Sequence, residues 1–341
     1  NNEATNDTQP TISGTAEENS SVILFDNGKW IATIPVDSSG AWTYTPTADL
    51  TQGSHSFTTI VEDAAGNQST ESPPYVIIVD SIAPDAVTGL LVNDNVDAYT
   101  GNLANNGLTN DAKPTFSGHA EANAVVTIYD ELNNKIGETQ ADGNGLWSLE
   151  PDNDLGNKQY TFTVVVTDAA GNESINNPTF TLTVDTIDPP QAGPISATDN
   201  VDPQSGPFNP EGFTNDTTPT FSGVADPGTT VTIYDGVKVL GTTTAAIPGG
   251  GWSFTPTTPL DEGQHTITAT ATDAAGNEGL ASLPFNFTVD TQAPAPVANL
   301  VVTDNVLGGI VGSLIAGGLT NDDTLVLSGT AENGTRVNIY N

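Results

Sequence analysis

From Thr266 to Thr272 the chain reads TITATAT, which puts Ile267, Ala269 and Ala271 on one side of an extended backbone and the threonines on the other. Phe180, Leu182 and Val184 alternate in the same way with Thr179, Thr181 and Thr183. A period of two is that of a half-buried strand, because successive side chains of an extended chain point to opposite faces. No stretch carries a helical period or a capping box. Gly, Pro, Asn and Asp interrupt the sequence every 8 to 12 residues or so, the spacing of short strands in a sandwich. The pattern predicts an all-β fold.

The strands belong to a long repeat. The word TND opens at Thr5, Thr109, Thr214 and Thr320, and is followed by P-T-[IF]-S-G or, in the last copy, by LVLSG. DAAGN begins at Asp63, Asp168 and Asp273. V-D-[ST] falls at Asp80, Asp185 and Asp290, each four residues before Pro84, Pro189 or Pro294, and D-N-V recurs at Asp94, Asp199 and Asp304. The period is about 105 residues, too long for a solenoid and right for one whole sandwich per repeat. These words delimit a unit at 1–80 that lacks its opening strand, complete units at 81–185 and 186–290, and the N-terminal part of a fourth at 291–341 that ends inside its third strand. The expected architecture is tandem immunoglobulin-like β-sandwich domains in an elongated array.

Two further positions fit that sandwich. His55, Tyr160 and His265 stand one repeat apart where a penultimate strand begins, the place of a tyrosine corner, so the histidines read as structural. Trp42, Trp147 and Trp252 recur just after a glycine and read as core anchors, whereas Trp30 has no counterpart.

Composition narrows the chemistry. Only 6 Lys and Arg face 42 Asp and Glu, a formal charge of -36. Nucleic acid and anionic membranes are poor partners for such a surface, since phosphate binding needs basic side chains; divalent cations are good ones. The same charge favours a soluble monomer. With no cysteine there is no disulfide, thiolate metal site or cysteine nucleophile. The chain starts in polar sequence without a signal peptide and reads as a piece of something longer. The uncharged residues 306–319 (VLGGIVGSLIAGGL) are too short and glycine-rich to span a bilayer, and they occupy the slot of two polar loops, so no membrane insertion is expected. No His, Ser and acid set groups plausibly and no phosphate loop follows a strand, so the chain is not expected to be an enzyme.

With TND-x-x-P-T-[FI]-S-G-x-A, T-[IV]-Y-D, G-x-W-[ST], D-A-A-G-N and V-D-[ST]-x-x-P in register over the whole chain, the sequence resembles the bacterial Ig-like (BIg) repeats of giant type-I-secreted, non-fimbrial adhesins. The resemblance implies the stalk of a surface-retained adhesin, secreted to the bacterial cell surface, whose parent protein meets a host-cell surface or biofilm matrix through other parts. It also implies calcium (Ca2+) at aspartates that stiffen the contacts between neighbouring repeats of the same chain.

Strand alternation says which aspartates those would be. The D-N-V to TND loop and the end of the last strand share one pole of a sandwich, and DAAGN lies at the other. The joint after the first unit would then hold Asp7, Asp80 and Asp168, with Asn172 and Glu121 nearby. The next would hold Asp94, Asp111, Asp185 and Asp273, and the third Asp199, Asp216 and Asp290. Calcium takes six to eight oxygen ligands, which suits such sets. D-N-V-D at Asp94 to Asp97 and Asp199 to Asp202 offers a second site inside one domain, weakened in the fourth copy where Leu307 replaces Asp. The competing reading is that Asp, Asn and Gly are there as turn formers. A ligand-binding module for glycan or ice, using threonine-rich strand faces, is the alternative function.

Overall fold

The computed structural model describes residues 2–307 and 311–340. Residues 308–310, inside the apolar stretch, and Asn341, the end of the fourth unit, lie outside the described residues. Every element is a strand, and among the described residues no helix is long and apolar enough to cross a membrane. The chain forms two compact units, one of residues 1–190 with 272–279 and one of residues 191–271 with 280–341.

The second repeat, in the first unit, shows the sandwich in full. One sheet runs Leu146–Leu149, Thr115–His119, Thr88–Asp94, Gly101–Asn102; the other runs Gly107–Thr109, Thr179–Val184, Lys158–Thr167, Val125–Tyr129, Lys135–Gln140. Register places Phe116 opposite both Val92 and Leu149, and Phe162 opposite Phe180, all facing inward. Phe116 and Phe162 meet edge to face at 4.9 Å in the centre of the core, both fully buried. The alternating threonines take the outer positions, as the period of two requires.

The repeat has nine strands, two more than the seven of a simple immunoglobulin-like sandwich. The extra ones are the short pairing of Gly101–Asn102 with the opening strand and the three residues Gly107–Thr109, which cross to the other sheet and run parallel to the closing strand. Segments of two or three residues are too short to display a period. The third repeat, in the second unit, has the same nine-strand plan around Phe221, Ile233, Ile267 and Phe287. In the first repeat, Ile12–Thr15 pairs only with Ala41–Tyr44, and no described strand fills the opening position. A cleft of about 630 Å³ is left beside Leu24, Trp42 and Phe57. In the fourth, Ala298–Asp304 is flanked by Gly312–Leu314 and Val326–Thr330, but among the described residues the expected third strand does not form. Its pairing partners in the second repeat have no counterpart in this chain, and a lone strand does not hold. Val337 and Ile339 accordingly stay exposed.

The recurring words have packing reasons. Trp42, Trp147 and Trp252 are buried, each lying flat on the glycine of the S-G pair: a Cβ on Gly14, Gly118 or Gly223 would come within 2.9, 3.3 or 2.7 Å of the indole. The corner is present too. Tyr160 accepts the Gly156 N–H at 2.8 Å. In the first and third repeats an imidazole takes that place with both ring nitrogens engaged: His55 Nε2 lies 2.8 Å from the Thr51 carbonyl and Nδ1 2.6 Å from Asp26, and His265 meets the Asp261 carbonyl and Asp235 likewise. Trp30 is solvent-exposed, its Nε1–H on the Thr33 hydroxyl.

Burial disfavours charge on His55, but the Thr51 carbonyl and the Asp26 carboxylate outweigh it and raise its pKa above the ordinary histidine value. A raised folded-state pKa adds stability that is complete below the unfolded value of about 6.5 and is lost as pH rises through the folded one. Hydrogen exchange in strand Gly53–Glu62 should therefore speed up as the pH is taken from about 6 to about 8, after correction for intrinsic rates. His55→Tyr should abolish that dependence; an unchanged dependence would remove His55 as its source.

Candidate metal centre

The threonine of each TND word organises one pole. Thr109 is fully buried. Its hydroxyl donates to Asp94 Oδ2 (2.5 Å) and accepts the Asp111 N–H (3.0 Å), while its carbonyl accepts the Asp185 N–H (2.9 Å). Asn95 N–H closes the group by donating to Asp111 Oδ2 at 3.0 Å. Three of the four aspartates expected at the second joint, Asp94, Asp111 and Asp185, thus meet on one residue.

The third repeat copies this around Thr214. Its hydroxyl donates to Asp199 (2.6 Å) and accepts the Asp216 N–H (3.0 Å), and its carbonyl accepts the Asp290 N–H (2.9 Å). Around Thr320 the fourth joins Asp304 and Asp322. In the first, Thr5 holds Asp7 (3.1 Å) and Asp80 (2.9 Å) through their N–H groups. Neither the threonine nor Asp322 was singled out from sequence; the signal was their recurrence in all four TND words.

Asp94, Asp111, Asp199, Asp216, Asp304 and Asp322 are all at most 5 % exposed. None has a basic partner among the ion pairs of the described residues. Buried carboxylates are normally paired with a cation, because desolvation of an isolated one is costly.

Asp168 and Asp273 are employed differently. Asp168 Oδ1 accepts the N–H groups of Ala170 (2.8 Å) and Asn172 (2.9 Å), and Oδ2 accepts the Asn172 side-chain amide (2.7 Å). Burial opposes ionisation of Asp168, but these donors prevail and lower its pKa. Asp273 is held in the same way. Both act as turn formers inside their own loops. Their loops nevertheless reach the preceding repeat, since Asn172 donates to the Asp80 carbonyl (2.9 Å) and Asn277 to the Asp185 carbonyl (2.8 Å); residues 272–279 belong to the first compact unit. Glu121 is exposed and lines a shallow cleft with Asp85 and His119. At the second D-N-V-D position, the Asp97 and Asp202 carbonyls accept the amides of Asn110 and Asn215.

Among the described residues, no group of three or more His, Asp or Glu side chains stands ready to hold a metal ion. The donors at the poles of the second and third repeats nevertheless fit calcium in kind: two buried carboxylates, a third aspartate anchored to the same threonine, and amide and backbone oxygens. Asn110 Oδ1, between Thr109 and Asp111, is buried without a hydrogen-bond partner. In the third repeat a cleft of about 290 Å³ opens onto Asp199, Thr214, Asn215 and Asp290. An all-oxygen, anionic set without nitrogen or sulfur suits calcium and not zinc.

A family model described as "Bacterial Ig-like domain" matches residues 1–81, 88–186 and 192–291. No curated protein matches the chain. Similar solved structures include a tetra-tandem repeat in the extending region of a large adhesion protein, at 20% identity over 95% of this chain and 84% of that one, with a TM-score of 0.25. A Ca2+-stabilized adhesin with which an Antarctic bacterium binds ice is 24% identical over 86% of this chain and 71% of its own, with a TM-score of 0.35. A structure concerned with host cell surface retention of a 1.5-MDa bacterial ice-binding adhesin is 20% identical over 83% and 91%, with a TM-score of 0.30. Scores this low carry no argument about function.

Proposed function

The chain belongs to the bacterial Ig-like domain family, and from that premise we propose that it is a length of structural stalk from a large surface adhesin, with calcium stiffening the joints between its repeats. The units are those delimited by the repeated words, 1–80, 81–185, 186–290 and 291–341, and the parent protein is displayed outside the bacterial cell. The role is mechanical, not catalytic.

The observation that carries this proposal is the recurrence of a buried carboxylate pair without a cation at one pole of three repeats, Asp94 with Asp111, Asp199 with Asp216 and Asp304 with Asp322. Calcium would be held by these pairs with Asp185 and Asp290, and at the first joint by Asp7 and Asp80. Asp168 and Asp273 would contribute by shaping the loops that face the site. The bound ion would supply the positive charge that the carboxylates lack and tie together segments that hydrogen bonds alone hold. Extracellular modules bind calcium at about 10⁻⁴ to 10⁻³ M, and at ten times the dissociation constant one site adds roughly 1.4 kcal/mol. Such a gain is modest per joint and accumulates along an array.

Titration calorimetry of the 341-residue chain with calcium is expected to show binding in that millimolar to submillimolar range. The double substitution Asp111→Asn with Asp216→Asn should remove sites from the isotherm. Equal isotherms for the two proteins, or no heat from either, would reject the assignment.

A further inference from the structure

The joint also contains a contact that needs no metal. Asn172 and Asn277 each spend the two hydrogens of one amide nitrogen on two fixed acceptors. One goes to the aspartate of the same loop, Asp168 Oδ2 at 2.7 Å or Asp273 Oδ2 at 2.9 Å. The other goes to the carbonyl of the aspartate that closes the preceding repeat, Asp80 at 2.9 Å or Asp185 at 2.8 Å. The accepting residue is itself fixed, because its N–H is held by the TND threonine carbonyl, Thr5 or Thr109, at 2.9 Å. All of these residues lie in the first compact unit.

A second contact repeats with the first. A Cβ placed on Gly171 would stand 3.7 Å from the Asn6 amide nitrogen, and one on Gly276 would stand 3.3 Å from that of Asn110 and 3.1 Å from the Tyr99 ring. The glycine of DAAGN therefore seats against the asparagine of TND in both places. The first repeat holds the donor in the same posture: Asn67 gives its amide to Asp63 Oδ2 at 2.7 Å, and Asp63 Oδ1 takes the Ala65 and Asn67 N–H groups at 2.8 Å. The loop thus takes its shape from its own aspartate.

We infer that the asparagine ending each DAAGN word is a latch: a preassembled donor that recognises the carbonyl of the closing V-D-[ST] aspartate of the preceding repeat and sets the register of the joint without a metal ion. This rests on the reading of the chain as an array, and it adds a residue-level rule to it. Asparagine is required because an aspartate there has no hydrogen to give, and glycine because φ is +89° at Gly171 and +104° at Gly276, a conformation that a residue with a Cβ adopts only under strain. The latch supplies one defined pose, and calcium at the same pole would narrow the motion about it.

The absence of cysteine makes the test direct. Thr47→Cys and Asn153→Cys, at exposed sites in the first and second repeats, take spin labels in the full chain, and the distance distribution between them is measured in chelator. The unsubstituted joint should show one distinct component above a broad background. Asn172→Ala should reduce the share of that component about fivefold, the ratio that one net hydrogen bond supports. Asn67→Ala, which breaks the same bonds inside a loop whose described hydrogen bonds stay within the first repeat, should leave the share unchanged and thereby control for loss of loop structure. An Asn172→Ala distribution equal to that of the parent would overturn the latch. So would a distribution without a distinct component before any substitution, and if calcium then produced one, the metal-stiffened stalk would stand while the latch fell.

Discussion

Thr109→Val is expected to lower the stability of the second repeat by about 2 to 4 kcal/mol, because it removes one hydroxyl and strands two buried groups. The valine keeps the volume but neither bond, so Asp94 Oδ2 loses its 2.5 Å donor and the Asp111 N–H its acceptor. Each buried group left unmet costs about 1 to 3 kcal/mol, more for a charged one. Water cannot easily take over, with Thr109 fully buried and the two aspartates nearly so. Thr109→Ser keeps the hydroxyl and gives up a methyl, which costs about 1 kcal/mol. The global-opening exchange rates of amides in Lys158–Thr167 and Thr179–Val184 report the second repeat separately from its neighbours. Equal losses for valine and serine would show that packing, not the hydrogen-bonded hub, is what the residue provides.

Gly145→Ala should cost about 3 kcal/mol for two independent reasons. Gly145 has φ +82°, a conformation that a residue with a Cβ adopts only under strain, and its Cβ would lie 2.3 Å from the Ala120 carbonyl oxygen. The neighbouring backbone cannot withdraw, because the Ala120 N–H is bonded to the Gly145 carbonyl at 2.9 Å. Gly40 and Gly250 stand in the same relation to Ala16 and Ala225, which is why glycine precedes the tryptophan by two in all three repeats. Gly66→Ala is the control: φ is +85° there, but nothing lies within 4 Å of the added carbon. Its cost should be about 1 kcal/mol, the conformational part alone. If the two substitutions cost the same, the close approach to Ala120 contributes nothing.

How far the sequence disclosed these features depended on whether each was periodic or repeated. The TITATAT run and the Phe180, Leu182, Val184 alternation appear as strands Gly263–Thr272 and Thr179–Val184 with the expected faces inward. The corner was legible because His55, Tyr160 and His265 occupy one slot, although their partners Asp26 and Asp235 lie about 30 residues away and no spacing rule points to them. Gly107–Thr109 was not legible, since three residues have no pattern and its pairing is with a strand more than 70 residues later. For the aspartates, strand alternation brought Asp94, Asp111 and Asp185 to one pole. It gave no warning that Thr109 joins them, because a threonine in a threonine-rich chain looks like any outward strand position. In DAAGN the turn reading is visible in the aspartate, which holds its own loop, while the asparagine donates to the closing aspartate of the preceding repeat, a contact that no turn rule foretells.

Small-angle scattering of the 341-residue chain, recorded in calcium and again in chelator, tests the account most directly. A metal-stiffened stalk predicts a larger maximum dimension and a less flexible particle in calcium, with the change lost on Asp111→Asn and Asp216→Asn together. Superimposable curves in the two conditions would contradict it, leaving the buried carboxylate pairs as turn residues and the array as a tether that calcium does not stiffen.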